Sequence, residues 1–158
     1  MNSPLKRTPL YERHVAAGGK IVPFAGFEMP VQYQTGIIAE HTAVRETAGL
    51  FDVSHMGEFI VRGSQALDLV QYITVNDASK IEIGQAQYSA MCLESGGIID
   101  DLLIYRFSDR FMLVVNAANQ AKDLEWIQQH ADTFDVELED ASEATALIAL
   151  QGPAAREI

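Results

Sequence analysis

The chain has 158 residues, 48% of them hydrophobic and 21% charged, and carries a net charge of −11 from 22 acidic and 11 basic side chains. This composition excludes an intrinsically disordered chain and fits one sizeable core or two small ones, while acidity spread along the sequence argues against nucleic acid as a partner and serves solubility. The single cysteine, Cys92, allows no intramolecular disulfide, and no run approaches the roughly 20 apolar residues of a membrane helix, so the expected setting is cytoplasmic or an organelle matrix, with no membrane.

In chain order, Thr8-Pro9 predicts a helix start, with the hydroxyl at the N-cap and proline in the first turn, and Gly18-Gly19 predicts its end. The stretch VPFAGFEMPVQY, Val22 to Tyr33, has prolines that break any regular period and aromatic residues that keep it apolar, so it reads as an ordered, packed loop. From Thr35 to about Ala48 the spacing predicts a second helix, with Ile37, Ile38, His41, Val44 and Ala48 on one face and Gly49 as its stop. Strands are expected at Leu50 to Val53 and Glu58 to Val61. A third helix follows, capped by Ser64 and carrying Leu67, Val70, Gln71 and Ile73 at helical spacing.

Three strands come next, Gln85 to Leu93, Ile98 to Phe107 and Phe111 to Asn116, and the turns ESGG and SDR between them imply an antiparallel meander. A fourth helix is predicted over about Gln120 to His130, with Leu124, Ile127 and Gln128 on one face. Two further strands, Val136 to Glu139 and Ala146 to Leu150, lead to Pro153, where a new helix should begin and the sequence reads as cut after about one turn. Helices interleaved with antiparallel strands imply an α+β fold, with helices packed on a sheet.

Within GGIIDDLLIYRF the adjacent Asp100 and Asp101 interrupt an otherwise apolar strand. Side chains alternate across a strand, so Asp100 shares a face with Leu102 and Ile104, and Asp101 shares the other with Leu103 and Tyr105. Carboxylates facing opposite ways cannot form the converging pairs of aspartic proteases or glycosidases. Either both acids are wetted at a frayed strand end, or Asp101 lines a ligand site where it can stabilise a cation or take a proton from nitrogen. The local sequence leaves both readings open. Tyr88 and Asn116, on the flanking strands, can reach a ligand beside Asp101, or can serve as a core residue and a strand-end or cap residue.

Asp52, His55 and Glu58 stand at three-residue steps that would gather metal ligands on a helix, but Gly57 and the β-rich flanks disfavour that helix, so no metal site is expected. The segment reads instead as strand, tight turn, strand. Cys92 reads as a small buried apolar residue. No glycine-rich phosphate loop and no nucleophile elbow is present.

The blocks TPLYERHVAAGGKIVPFAGFEMPVQY, GLFDVSHMGEF, QYSAMCLESGGIIDDLLIYRF, LVVNAANQAKDLEWI and ALIALQGPAAREI resemble, in this order and spacing, the N-terminal part of the glycine cleavage system T-protein family, the aminomethyltransferases. The resemblance covers essentially the whole chain. It implies transfer of a one-carbon unit from the aminomethyl-lipoyl arm of the H-protein to tetrahydrofolate, with release of ammonia. The family's catalytic aspartate falls on Asp101, Met56, Tyr88 and Asn116 become pterin-lining residues, and Asp100 becomes structural. The implied fold is a three-domain cloverleaf, of which residues 1–50 would open domain 1, residues 51–140 would form most of domain 2, and residues 141–158 would return to domain 1. A folate-dependent demethylase of the same superfamily and a non-catalytic folate-binding fragment are the competing expectations. Apolar surface left uncovered in such a fragment predicts self-association.

Overall fold

The computed structural model describes residues 4–158. The chain divides into two compact units, one of Met1–His55 with Ala146–Ile158 and one of Met56–Thr145. Both mix helices with antiparallel strands, giving the α+β fold expected from the sequence.

The first unit opens with helix α1 (Tyr11–Ala16), followed by strands β1 (Ile21–Phe24) and β2 (Phe27–Pro30), helix α2 (Ile37–Glu46) and strand β3 (Gly49–Asp52). Thr8 does not cap α1 with its hydroxyl. That hydroxyl instead donates to Asp52 Oδ2 at 2.7 Å, and the helix begins two residues later than Thr8-Pro9 suggested, at Tyr11. The segment read as a loop is a hairpin, β1 against β2, with Phe24 opposite Phe27. Its two-residue corner, Ala25-Gly26, has φ of 48° and 86°, a left-handed pair that matches strand twist. Pro23 is tolerated because β1 is an edge strand, and Pro30 because it is the last residue of β2, whose outer edge is bridged further back by Lys6 opposite Phe27.

Helix α2 buries none of its residues. Ile37 and Ile38, expected on its inner face, are 56% and 84% exposed; only the side bearing Val44 and Glu40 is half covered. Strand β9 (Ile148–Gln151) pairs antiparallel with β3, so the chain's last strand closes this unit. After it the residues from Pro153 form turns, not the helix anticipated there.

The second unit is a five-stranded antiparallel sheet with two helices on one face. Strand β4 (Gly57–Arg62) leads to α3 (Ala66–Ile73), then to β5 (Ala86–Cys92), β6 (Ile98–Arg106) and β7 (Phe111–Val115). Helix α4 (Gln120–Ala131) and β8 (Glu137–Asp140) complete it. The strand order is β5-β6-β7-β4-β8, so the predicted meander is present and β4 and β8 extend it. Ser64, expected as the cap of α3, donates to Asp135 instead, at 2.6 Å.

Sheet and helices enclose one core, made by Phe59 and Val61 of β4, Leu69, Val70 and Ile73 of α3, Met91 of β5, Leu102 and Ile104 of β6, Leu113 and Val115 of β7, and Ile127 of α4. At roughly 2 kcal/mol per fully buried aliphatic side chain, this is the main force holding the unit together. It also fixes the facing of β6, since Leu102 and Ile104 point into it. Asp100 must then point the same way and Asp101 the other.

Candidate active site

Asp100 and Asp101 lie two and three residues inside β6, and neither is at a frayed end. Asp100 is 8% exposed on the helix-covered face; Asp101 is half-buried on the opposite face. The strand pairing sets Asp101 opposite Ala90 of β5 and Leu103 opposite Tyr88, so Tyr88 lies diagonally beside Asp101 on one face. Its hydroxyl donates to Asp101 Oδ2 at 2.9 Å. That bond, with the carboxylate's charge, raises the phenol above its ordinary value, because ionising it would set a second anion beside Asp101. The hydroxyl therefore stays a donor.

Asn116 directly follows β7 and holds Asp101 from the other side. Its Nδ2 donates to Asp101 Oδ1 at 3.0 Å and to Asp100 Oδ1 at 3.1 Å, with Asp101 O at 3.3 Å. This amide is not a helix cap, since its side chain makes no capping bond to the following turn. Met56 precedes β4, whose Gly57 is opposite Val115, and is half-buried in the same unit. The Asp101 carboxylate thus accepts one bond on each oxygen, which leaves about two lone pairs for a ligand.

Asp100 has the partners that its burial demands. Desolvation pushes its carboxyl up, but hydrogen bonds from Asp123, Asn119, Asn116 and the Asp101 N–H outweigh it and hold the group below its ordinary range. Arg106 is not among them; it donates to Ile81 O at 2.8 Å at the far end of β6. Asp123 of α4 is fully buried, and burial together with the neighbouring Asp100 pushes its carboxyl up to about 7. Sequence reading missed Asp123. Its signal was the spacing to Ile127, four residues on, which places both on the inward stripe of α4.

Glu58 was also missed as an interior acid. It is fully buried on β4, and burial, with Asp140 adding repulsion, pushes it up to about 7. Asp52, His55 and Glu58 do not converge, because the segment is strand, turn and strand as its glycine suggested. Asp52 accepts from Thr8 and His14, at 2.7 and 2.8 Å, and His55 packs edge-on against Phe24 and Phe27. Among the described residues no group of three or more His, Cys, Asp or Glu is placed to hold a metal ion, and no helix is long and apolar enough to cross a membrane.

This sheet, with an aspartate clamped between a tyrosine and an asparagine, can be set beside known proteins. The GCVT N-terminal domain model matches residues 10–158. The chain belongs to that family. It is 58% identical to an aminomethyltransferase of Symbiobacterium thermophilum, over 100% of this chain and 43% of that protein. It is 56% identical to an aminomethyltransferase of Thermus thermophilus, over 96% of this chain and 44% of the relative. The crystal structure of glycine cleavage system aminomethyltransferase T from Bartonella henselae superposes with a TM-score of 0.86 at 41% identity, covering 97% of this chain and 42% of that one. The chain thus spans less than half the length of the relatives it matches.

Proposed function

We propose that this chain supplies the catalytic aspartate, Asp101, of an aminomethyltransferase that takes a one-carbon unit from an aminomethyl-lipoyl H-protein and passes it to tetrahydrofolate, releasing ammonia. The observation that carries the reading is the clamp on Asp101. A carboxylate with one oxygen tied to Tyr88 and the other to Asn116 is fixed in direction, yet keeps lone pairs on an accessible face. The face suits a flat heterocycle edged with N–H groups. Tyr88 is 64% exposed and presents an aromatic ring for contact, and Leu103 opposite it adds apolar surface.

Loss of ammonia from a thioether-bound CH2–NH3+ group leaves positive charge on the methylene carbon, and attack by a ring nitrogen must then release a proton. Asp101 can stabilise the first and receive the second. It does so best in a site closed to water, whereas here the carboxylate is half-exposed. In the proposed enzyme the closure comes from the length by which the relatives exceed this chain, and from docking of the lipoylated H-protein. The proposal also takes residues 51–140 as most of a second domain between two stretches of a first, bounds within five residues of those of the compact unit Met56–Thr145.

The test is formation of 5,10-methylenetetrahydrofolate from aminomethyl-loaded H-protein, using the complete reading frame that carries this chain. Asp101→Asn should lower turnover by a factor of about 10² to 10⁴, the usual contribution of one positioned acid or base, with folate affinity nearly unchanged. Turnover at the parent rate in that variant would remove Asp101 from the chemistry.

A further inference from the structure

Among the described residues, no hydrogen-bond donor reaches three buried carboxyl oxygens: Oδ2 of Asp100 and both oxygens of Asp123. Two ionised carboxylates cannot stay in contact in a dry interior, and the nearby Lys122 does little to relieve them. Lys122 Nζ is 3.8 Å from Asp123 Oδ1, is half-exposed, and spends its bond on Ile99 O at 2.6 Å. A single proton between the two acids satisfies two of these atoms, Asp100 Oδ2 and one oxygen of Asp123, and leaves one Asp123 oxygen unpaired.

We propose that Asp123 is a positioning residue for Asp101: it donates one shared proton to Asp100, and the Asp100 carboxylate so held anchors the Asn116 amide that aims Asp101. The inference rests on the catalytic reading of Asp101 given above. The geometry is a relay of three contacts. Asp123 bonds Asp100. One nitrogen of Asn116 then reaches Asp100 Oδ1 at 3.1 Å and Asp101 Oδ1 at 3.0 Å. With two amide protons on that nitrogen, each carboxylate can receive one.

The donors decide which acid holds the proton. Asp100 also receives bonds from Asn119, Asn116 and the Asp101 N–H, all of which favour its charged form. Asp123 has only Asp100 and the glancing contact of Lys122. Of the other neighbours, Met91 of β5, opposite Asp100, and Asn116 and Asn119 are neutral, while Asp101 is a further acid joined to Asp100 through the same Asn116 nitrogen, so it too disfavours a second charge on the buried pair. Asp123 is therefore the neutral partner, with its carboxyl pushed up to about 7 by burial and by Asp100. As the pH rises through that value the shared proton leaves, two anions face each other, and the hold on Asn116 loosens.

The experiment is a carboxyl titration of the chain carrying 13C-labelled aspartate, with the Asn116 side-chain amide followed by 15N NMR. One aspartate signal should titrate with a midpoint near 7, and the Asn116 signals should move with it. Asp123→Asn keeps a donor toward Asp100 that cannot ionise, so that step should vanish and Asn116 should hold its low-pH position throughout. Asp123→Leu, if it folds, should place Asn116 off that position at every pH. Three outcomes overturn the proposal: no aspartate titrating between pH 6 and 8, a step that persists in Asp123→Asn, or an Asn116 signal indifferent to it. No substrate enters this measurement, so it stands or falls apart from catalysis. Turnover by Asp101→Asn would defeat the catalytic reading and leave the proton relay intact. In the complete enzyme, Asp123→Asn should preserve kcat above pH 7, where the parent declines, without moving KM.

Discussion

Replacing Glu58 with glutamine should stabilise the chain above pH 7 and change it little at pH 5. Glu58 is fully buried in β4, neither carboxyl oxygen has a donor among the described residues, and its backbone is fixed by bonds with Ser142 Oγ at 3.0 Å and Ala141 N at 2.9 Å. The side chain cannot escape to water without breaking the strand. Burial, reinforced by Asp140, raises its carboxyl from an ordinary 4.5 to about 7. The free energy tied to that displacement is about 3 kcal/mol at roughly 1.4 kcal/mol per pH unit. Because the folded-state value is raised, the stability it contributes is fully present below about 4.5, where the acid is neutral in both states, and is lost as the pH climbs through 7. Glutamine has the same shape and no charge to lose. At pH 5 each side chain is a neutral buried polar group short of partners, so the two proteins should agree within about 1 kcal/mol. By pH 9 the variant should be ahead by about 2 to 3 kcal/mol. Urea unfolding monitored by Trp126, which lies in the same unit, should show the midpoints separating by about 1 to 2 M across this range. Parallel pH dependence in the two proteins would mean that Glu58 does not ionise in isolation, and would refute the argument.

Asp52→Ala should cost the first unit about 3 kcal/mol, read as faster hydrogen exchange in the β3–β9 ladder, because it strips partners from Thr8, His14 and the Ser54 N–H together. Burial pushes the Asp52 carboxyl up, but bonds from His14, Thr8 and Ser54 hold it below its ordinary 3.8, so its contribution should be present above pH 4 and lost as the pH falls further, and Asp52→Asn should flatten that acid limb. Gly63→Ala should destabilise the second unit by more than about 2 kcal/mol in thermal unfolding, since φ is 119° and the added carbon would come within 2.4 Å of the Asp135 carbonyl oxygen. Gly96→Ala, with φ of 85° but nothing within 4 Å, should cost only about 1 kcal/mol. Tyr88→Phe should leave stability within about 0.5 kcal/mol, the residue being exposed, yet lower turnover of the complete enzyme about tenfold by freeing one oxygen of Asp101.

Where a local pattern and the long-range packing agree, the sequence was legible. The alternation in Gln85 to Asn116 located β5, β6 and β7 to within about two residues, and the turns ESGG and SDR gave their antiparallel order. The β1–β2 hairpin was illegible because its turn is Ala25-Gly26, with no asparagine or aspartate to announce a left-handed corner, and its prolines mimic a loop. The apolar run in α2 misled for a different reason: periodicity reports which residues share a face, not whether anything covers it, and Ile38 is 84% exposed. Thr8 and Ser64 each looked like caps and proved to be hydrogen-bond partners of aspartates far along the chain.

For the candidate site the division is sharper. The order of residues by itself determined that Asp100 and Asp101 face opposite ways, because alternation is a property of any strand, and five blocks in order placed the chain in its family. What the tertiary structure decided is which acid faces the core and what each one touches. Leu102 and Ile104 choose the core face for Asp100 by burial, and strand pairing brings Tyr88 and Asn116 to Asp101 from 13 and 15 residues away. Helix α4 then brings Asp123 under the sheet, an acid whose sequence neighbours, Lys122 and Leu124, give no hint of a carboxyl partner. Contacts of that kind form only when segments distant in sequence pack, and the protonation of a buried acid is set by those contacts, not by its own stretch of chain.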